Sequence, residues 1–371
     1  MVFLGHNVRM SGSQTQTEPE FGHSRPPRFR AAESVARALE GWFPRHRRKL
    51  PWRENRSPWR TLVSELMLQQ TQVSRVEERF ESFLGLFPDA RAMTEAGEDA
   101  VVAAWEGLGY YRRARLLHAA AVRICEVHGG LVPDSIDALL ALPGVGRYTA
   151  GSIASIAFGL RAPIVDGNVI RVVARLEAVD ATADDPSLVA RCWDRSEAMV
   201  EVATSPGVLN EALMELGATV CTPAAPACDR CPIRRECAAF KTEDPSAIPR
   251  PKRRPVRQEV HLHTVVLRRG DRVLLRQRPP EGIWAGLWEL PSLEDVARLD
   301  LPAIESGFDF RIVDLRPLET FKRLLTHRAV HFHVYEGSTR IRRGHWCDQS
   351  AASGLAMAKP MRSLMDRRVW R

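Results

Sequence analysis

The feature that most constrains this chain is a run of cysteines, CTPAAPACDRCPIRREC, which extends from Cys221 to Cys237. It holds four of the seven cysteines in the sequence. Six, two and five residues separate them, so one folded loop can bring all four thiolates around a single centre. Thiolates are soft ligands that select zinc or iron–sulfur clusters over hard cations. We therefore expect this segment to fold around a metal centre.

The spacing bears on which metal binds. Structural zinc sites commonly join two tight Cys-x2-Cys pairs across a longer gap, whereas only Cys228 and Cys231 form such a pair here. A cubane iron–sulfur cluster is wider than one ion, so the looser outer spacings favour it, while zinc stays open. Disulfides fit less well because no secretory signal accompanies the cysteines. Cys125, Cys192 and Cys347 are expected to be free thiols in a reducing cytoplasm.

Length and charge narrow the classes of partner. The chain has 371 residues, enough for two or three domains, and a formal net charge of +8. A basic protein favours a polyanion such as nucleic acid, and no stretch approaches the roughly 20 apolar residues of a membrane-spanning helix. Residues 1–29 are polar and proline-bearing, which predicts a disordered, solvated tail, with Met10 as an alternative start.

The hydrophobic pattern changes once along the chain. From Ala31 to about Thr242, apolar residues recur at spacings of three and four, which predicts helices. Residues 243–257 carry four prolines and five basic side chains, which predicts an extended, hydrated linker. Beyond it the pattern predicts strands, with a hairpin turn at Gly270. The chain is thus expected to be multidomain, with no internal repeat.

The string LPGVGRYTAG predicts two helices joined by a tight turn. One helix should stop at Pro143, the chain should turn through Gly144 and Gly146, and a second helix should start near Arg147. The first N–H groups of that helix have no intrahelical partner, and the helix dipole favours an anion there. An ordinary helical corner is the alternative, but the basic charge favours contact with a DNA phosphate.

Two carboxylates are candidates for acid–base chemistry. Ser57 and Pro58 predict a helix start, and Glu65 then lies among apolar neighbours, which should raise its pKa. Asp166 precedes a glycine and a new helical run, so it is expected to cap that helix, with a lowered pKa. A surface position for Glu65 and a purely structural cap at Asp166 are the alternatives. As a pair, a proton donor and a persistent anion are the groups that cleave glycosidic bonds.

Five motifs in order, SELMLQQTQV, WEGLGYYRRARLL, LPGVGRYTAG, VDGNVIRV and the cysteine run, resemble the helix-hairpin-helix DNA glycosylases that carry an iron–sulfur cluster. The resemblance implies an all-α glycosylase region at 30–242, with a six-helix barrel at about 51–165 and an iron–sulfur domain from 30–50 plus 166–242. The adenine-specific branch matches best. It implies a base excision repair enzyme that hydrolyses the N-glycosidic bond of adenine mispaired with 8-oxoguanine or guanine in duplex DNA.

The resemblance also implies roles for the residues that match its motifs. Glu65 falls on the general acid that protonates adenine N7. Asp166, assisted by Asn168, falls on the aspartate that stabilises the sugar cation through its charge or a transient bond. The residues implied to lie at the adenine are Trp52, Arg53 and Glu211. Those implied to wedge the duplex and contact the oxidised guanine are Gln70, Thr71, Leu108 and Tyr110.

The implied cofactor is a [4Fe–4S] cluster that shapes a DNA-facing loop. Its implied ligands are Cys221, Cys228, Cys231 and Cys237, and the arginines implied to meet phosphates beside it are Arg230, Arg234 and Arg235. At Tyr148 the endonuclease III branch of the family has a lysine whose amine forms a Schiff base during strand cleavage. Because tyrosine lacks that amine, a monofunctional glycosylase is expected, with Tyr148 lining the sugar pocket.

Residues 258–371 resemble a Nudix fold through LLRQRPPEGIWAGLWELP, which implies an α+β domain. Nudix hydrolases need a metal-binding helix of the form R-E-x-x-E-E after this string, and residues 292–310 supply nothing like it. A recognition domain for 8-oxoguanine is the better interpretation. The family's Phe-Ser-His recognition loop appears as Leu325, Thr326 and His327, so the hydroxyl is kept and the aromatic ring is lost.

Two alternatives to this function remain at the level of sequence. One is an endonuclease III-like glycosylase with lyase activity, and the other is a non-catalytic iron–sulfur DNA-binding protein. The implied partners are mispaired duplex DNA and the repair enzymes that act downstream. The chain is expected to be a monomer of the bacterial cytoplasm, associated with the nucleoid and not with a membrane.

Overall fold

A computed structural model describes residues 27–242, 244–251 and 256–370 of the chain. The first of these ranges is helical. Helices α1 to α10 are Pro27–His46, Pro58–Leu68, Val73–Leu86, Ala90–Ala104, Arg112–His128, Ile136–Leu140, Arg147–Ser152, Gly167–Leu176, Pro186–Val202 and Pro206–Thr219. A π-helical segment, Ile153–Ala157, continues α7. Helix α1 begins inside the stretch expected to be a tail, whose residues 1–26 lie outside the described part.

The start of α2 follows from its local sequence. Ser57 has extended backbone angles, and its hydroxyl accepts a hydrogen bond from the Arg60 N–H at 3.2 Å. Pro58 occupies the first helical position, where its missing N–H costs nothing. The predicted helix start is confirmed, and it fixes which residues of α2 turn inward.

The helices pack around two hydrophobic cores. The first lies among α2 to α7 and includes Leu62, Leu66, Trp105 and Ile153, and it continues into the C-terminal sheet. The second is formed where α1 packs against α9 and α10, together with α8. At Gly217 of α10 an added Cβ would lie 2.6 Å from the Cβ of Asn168, so glycine lets α10 approach the start of α8 closely.

The predicted turn between two helices is confirmed. Helix α6 ends at Leu140, and α7 begins at Arg147 after Gly146, which is extended and caps the helix. Gly144 has a φ of +77°, and an added Cβ there would lie 2.8 Å from the Leu116 Cβ. Both the left-handed backbone and the close approach require glycine. Gly146 and Arg147 are exposed to solvent.

The basic, proline-rich segment after the helices is less extended than its composition predicts. A short 3-10 turn, Pro245–Ala247, lies against the helical region, and Ile248 is buried. The Ile248 carbonyl accepts a hydrogen bond from Arg175 Nε at 2.7 Å. Val256, by contrast, is 96% exposed. The first half of this segment therefore belongs to the helical core, because a buried arginine holds its backbone.

The described residues after the linker form a seven-stranded mixed sheet with short helices. Its strands β1 to β7 are Gln258–Arg269, Arg272–Gln277, Trp288–Glu289, Ser292–Asp295, Ile312–Leu324, Arg328–Thr339 and His345–Cys347. The helices α11 to α13 are Leu301–Ser306, Gln349–Ser353 and Lys359–Leu364. The main path runs β3-β2-β1-β6-β5, with β4 paired to β1 and β7 to β2. The hairpin predicted at Gly270 is confirmed, since Arg269 pairs with Arg272.

The segment after LLRQRPPEGIWAGLWELP contains no long helix. Residues 292–295 form β4, which pairs antiparallel with β1, and the six-residue α11 follows at Leu301. Residues 292–310 thus contain one short strand and one short helix.

The sheet domain contacts the helical domain through the segment that precedes α5. The Tyr111 hydroxyl donates to the Met357 carbonyl at 2.9 Å, and Arg362 pairs with Glu106 at 3.2 Å. None of the helices in the described ranges is long and apolar enough to cross a membrane.

Candidate active site

Glu65 projects from α2 into the first core, where its residue is only 6% exposed. The Ser152 hydroxyl donates a hydrogen bond to Glu65 Oε1 at 2.8 Å. Burial raises the pKa of Glu65 to about 7, and this outweighs the hydrogen bonds from Ser152 and Tyr148 that favour the carboxylate. The charges of Asp166 and Glu211 raise the pKa further. A carboxyl group with this pKa can hold a proton at neutral pH and give it away.

Asp166 caps helix α8, as the sequence predicts. Its carboxylate accepts hydrogen bonds from the Val169 N–H at 2.7 Å and from Asn168 Nδ2 at 2.9 Å. The expected fall in its pKa is wrong. Burial raises the pKa of Asp166, although the bonds from Val169 and Asn168 and the charge of Arg171 oppose the rise. The cap was visible in the sequence, but the depth at which the helix start lies in the protein was not.

Tyr148 lies near both acids, since it hydrogen-bonds Glu65 and is affected by the charge of Asp166. Its hydroxyl lies 3.2 Å from the Met214 sulfur, and burial raises its pKa well above 10, with further contributions from the charges of Glu65 and Asp166. Tyr148 is therefore a neutral hydroxyl at physiological pH. It can donate a hydrogen bond but cannot act as the amine nucleophile of a lyase.

A second group of buried charges lies where Arg53 meets α10. Arg53 Nε bonds Glu211 at 3.0 Å, and Arg53 Nη2 bonds Glu215 at 2.9 Å. Glu211 also pairs with Arg56 at 2.6 Å, and Glu215 also pairs with Arg48 at 2.8 Å. The structure thus brings together two residues predicted at the adenine, Arg53 and Glu211. Trp52, the third, packs its ring edge-on against Phe80, with centroids 5.7 Å apart.

The residues predicted to contact the oxidised guanine lie on two adjacent loops. Gln70 is exposed, and the Thr71 hydroxyl donates to the Leu108 carbonyl at 3.1 Å, which joins the loop after α2 to the loop before α5. Tyr110 is 44% exposed. Leu108, by contrast, is only 4% exposed. It therefore takes part in the contact between the loops through its backbone carbonyl and not through its side chain.

The tip of the β5–β6 hairpin meets these loops. Thr326 and His327 are exposed there, and the Thr326 hydroxyl lies 2.5 Å from the Tyr110 hydroxyl. Arg257 Nε holds the Leu325 carbonyl at 3.0 Å. The sequence-predicted loop of the sheet domain is therefore placed beside the exposed tyrosine of the helical domain.

At the start of α7 the guanidinium of Arg147 lies over the Trp193 ring, 3.8 Å from its centroid. This stacking holds a cation beside the N–H groups at the start of the helix. The Gly144 and Gly146 turn and Arg147 together present backbone donors and positive charge on one exposed surface, which suits a phosphate.

The four clustered cysteines line one pocket. The other residues that line it include Arg175, Val220, Ala227, Arg234 and Phe240. Burial, followed by the neighbouring cysteines, raises the pKa of Cys231 to about 12, so the thiols lie close enough to affect one another. Within the ranges described, no three histidine, cysteine or acidic side chains are arranged to hold a metal ion.

Two arginines of α8 connect that pocket to its surroundings. Arg171 bonds the Cys221 carbonyl at 2.7 Å and Asn168 Oδ1 at 2.8 Å, so it links the cysteine loop to the neighbour of Asp166. Arg175 Nη1 lies 3.3 Å from the Cys221 sulfur. Sequence analysis missed both, together with Ser152 and Glu215. The only signal was the spacing of four between Arg171 and Arg175, and between Glu211 and Glu215, which places each pair on one helix face.

Two family models match the chain. Residues 63–197 match the HhH-GPD superfamily of base excision DNA repair proteins, and residues 263–367 match the NUDIX domain. With the helical fold and the hairpin described above, these matches indicate a helical fold of the HhH-GPD type at residues 63–197 and a NUDIX-like domain at residues 263–367.

Curated relatives of the chain carry the name adenine DNA glycosylase. One from Rattus norvegicus is 37% identical over 69% of this chain and 60% of its own length. Another, from Mycolicibacterium smegmatis, is 46% identical over 53% of this chain and 66% of its own length. The chain thus spans about three fifths of the length of the rat protein. Among solved structures, a thermostable thymine-DNA glycosylase aligns with a TM-score of 0.51 at 24% identity, over 57% of this chain and 97% of that one.

Proposed function

We propose that this protein removes adenine mispaired with 8-oxoguanine or guanine from duplex DNA by hydrolysing the N-glycosidic bond. The observation that carries the proposal is the Glu65 carboxyl group, buried with no cationic partner among the described residues, whose pKa is raised to about 7 by burial and by the charges of Asp166 and Glu211. The named relatives support adenine as the base.

Glu65 supplies the proton for base departure. Adenine leaves the base stack at a cost of a few kcal/mol, which a mispair lowers. Glu65 then donates its proton to adenine N7, so the base can accept the electron pair of the breaking C1′–N9 bond without becoming an anion. The hydroxyls of Ser152 and Tyr148 stabilise the carboxylate left on Glu65, since both favour its charged form.

Asp166 stabilises the positive charge that develops on the sugar as the bond breaks. The charge of Asp166 raises the pKa of Glu65, so we expect the two acids to hold one proton at neutral pH. The hydrogen bonds from Val169 and Asn168 and the charge of Arg171 favour ionised Asp166, which leaves the proton on Glu65. Water then adds to C1′ and returns its proton to Glu65, and an abasic site remains.

Recognition is divided between the two domains in this proposal. Trp52, Arg53 and Glu211 lie at the adenine, and Gln70, Thr71 and Tyr110 meet the opposite base together with Thr326 and His327 of the sheet domain. Gly144, Gly146 and Arg147 bind the phosphate backbone, which positions the duplex without reading its sequence. The helical domain at 30–242 and the NUDIX-like domain at 258–371 thus act on opposite members of one mispair.

The cysteine pocket fits a [4Fe–4S] cluster. Its donors are four thiols, the ligands that such clusters take, and all four line one pocket. Cys221, Cys228, Cys231 and Cys237 would hold the cluster, which would supply a covalent cross-link for the loop that Arg171 joins to α8. Iron and sulfide contents of purified protein test this assignment, and zinc without sulfide would contradict it.

The central experiment is single-turnover incubation with labelled duplexes, followed by alkaline cleavage of abasic sites. Duplexes carrying adenine opposite 8-oxoguanine and opposite guanine should be cleaved only after alkali. An adenine–thymine duplex and a thymine–guanine duplex serve as controls and should stay intact. The thymine–guanine control addresses the structural likeness to a thymine-DNA glycosylase.

Three results would contradict the proposal. Release of thymine would change the substrate, and binding without release of any base would indicate a non-catalytic DNA-binding protein. Strand cleavage without alkali, with a covalent product trapped by borohydride, would indicate a lyase in spite of Tyr148.

A further inference from the structure

Arg113, in the first turn of α5, is a buried cation with an unusual set of partners. The residue is 6% exposed. Its Nη1 donates to the Leu66 and Met67 carbonyls at 2.7 and 2.8 Å. Its Nη2 donates to the Thr71 hydroxyl at 2.9 Å and to the Leu108 and Gly109 carbonyls at 3.2 and 2.9 Å. One guanidinium therefore joins the end of α2, the loop that follows it and the loop before α5.

These partners of Arg113 are carbonyls and a hydroxyl, with no carboxylate among them. The positive charge is met by the unpaired carbonyls at the C-terminal end of α2, where the helix dipole is negative. The guanidinium also lies over the rings of Trp105 and Tyr110, at 5.3 and 5.7 Å from their centroids. A buried arginine held in this way fixes backbone positions and does not neutralise an acid.

The two loops that Arg113 joins have backbone conformations that need support. Gln70 has a φ of +56° and Tyr110 a φ of +47°, and both lie in the left-handed region that residues with a Cβ avoid. Such conformations persist when the surrounding structure over-determines them. Arg113 bonds the residue that follows Gln70 and the residue that precedes Tyr110.

We propose that Arg113 is a positioning residue for mispair discrimination, which locks the Gln70–Thr71 loop to the Leu108–Tyr110 loop so that both present a fixed surface to the base opposite adenine. The inference rests on the proposed function, because it takes these loops as the readers of that base. Arg113 itself does not touch DNA, since it is buried beneath them.

The conservative variant Arg113→Lys tests the geometry and keeps the charge. A lysine ammonium has its three donors on one atom, so it cannot bond the carbonyls at the end of α2 and both loops together, as the two guanidinium nitrogens do. We expect the ratio of kcat/KM for adenine opposite 8-oxoguanine to that opposite guanine to fall by about tenfold or more, because loops that are displaced even slightly no longer fit the base opposite adenine. The pH dependence of excision should not change, because Glu65 keeps its surroundings.

Arg161→Lys is the matched control. Arg161 Nη1 donates to the Val200, Glu201 and Ala203 carbonyls at the end of α9, so it also caps a helix but touches neither loop. Its replacement should lower thermal stability and leave the discrimination ratio unchanged. Rates are normalised to the concentration of active enzyme, so loss of folded protein does not imitate loss of discrimination.

Three outcomes with Arg113→Lys and its control overturn the inference. The first is an unchanged ratio in Arg113→Lys, and the second is an equal fall in Arg161→Lys. The third is a shifted pH profile in Arg113→Lys, which would mean that Arg113 acts through Glu65. If Arg113→Lys does not fold, Thr71→Val breaks the same link with the arginine left in place, and an unchanged ratio in that variant also overturns it. Absence of adenine release by the wild type from either duplex would instead refute the proposed function.

Discussion

Two buried glutamates of the helical domain differ in the charge of their neighbours. Glu65 is surrounded by hydroxyl groups and other acids, and its pKa rises to about 7. Glu215 is held by Arg48 and Arg53, and these bonds lower its pKa to about 2 in spite of burial. Burial alone therefore does not decide which acid carries a proton. Because no cation among the described residues pairs with Glu65, it can hold a proton at neutral pH, whereas the paired arginines keep Glu215 ionised.

The largest effect should follow from removing the proton of Glu65. In Glu65→Gln the side chain keeps its size but cannot transfer a proton, so the single-turnover rate should fall by about 10³-fold or more, within the range of general acid catalysis. Glu95→Gln, which changes an exposed carboxylate on α4, should leave the rate unchanged. A Glu65→Gln rate within about tenfold of wild type would contradict the acid assignment, since such a loss is below the range typical of general acids.

The second test breaks the paired group. In Arg53→Met the buried carboxylates of Glu211 and Glu215 each lose one partner, while Arg56 and Arg48 remain. Removing one partner of a buried ion pair costs about 3 kcal/mol or more in the free energy of unfolding. Denaturant titration at pH 7.5 measures it. Arg37→Met, which breaks the exposed pair with Glu33, should change stability by less than about 1 kcal/mol.

Local signals in the sequence predicted a large part of the fold. The start of α2 at Pro58, the turn through Gly144 and the hairpin at Gly270 depend on residues a few positions apart, so capping and backbone preferences suffice to find them. The parallel pairing of β1 with β6 was not predicted, since it joins His261 to His331 across seventy residues. No local preference specifies such a pairing.

The candidate site, like the fold, was predicted where the signal is local in the sequence. The motifs indicated Glu65 and Asp166, and the Asp166 cap could be inferred from the glycine that follows it. The hydrogen bond from Ser152 to Glu65 and the bonds from Arg113 to the two loops were not predicted. They depend on how separate helices and loops pack together, which no short stretch of sequence specifies. The direction of the Asp166 pKa was predicted wrongly because a sequence gives the capping bonds but not the depth of burial that outweighs them.

The third test measures the stability that the raised pKa of Glu65 costs. Between pH 4.5 and about 7 the folded protein keeps a proton that the unfolded chain releases, so stability from this group falls as pH rises and is lost above pH 7. Glu65→Gln removes that loss. We expect the variant to exceed wild type at pH 8 by on the order of 3 kcal/mol and to match it at pH 4, since one pKa unit corresponds to roughly 1.4 kcal/mol. Equal stabilities at pH 8 would show that Glu65 is not buried as a neutral acid.

The sheet domain extends the comparison to basic side chains, whose pKa is lowered by burial. Four histidines face one another across β1 and β6, with centroids 4.7 Å apart for His261 and His331 and 4.9 Å for His263 and His333. Burial, followed by the charges of the neighbouring histidines and Arg298, lowers the pKa of His333 to about 4. Among the described groups around these histidines, the other charged residues are Glu259, Asp295 and Lys322.

The smallest expected effect is therefore an acid sensitivity of the sheet domain. The unfolded chain binds a proton at His333 below pH 6.5 while the folded domain resists until about pH 4, so the stability present above pH 6.5 is lost as pH falls. Between pH 7 and 5 the free energy of unfolding should fall less in His333→Phe than in wild type, by on the order of 1 kcal/mol after allowance for solvent screening. His345→Gln, an exposed change in the same domain, should keep the wild-type slope. If His333→Phe keeps that slope too, the folded domain does not resist protonation of His333. Burial without a charged partner would then shift the pKa of Glu65 in the helical domain but not that of His333.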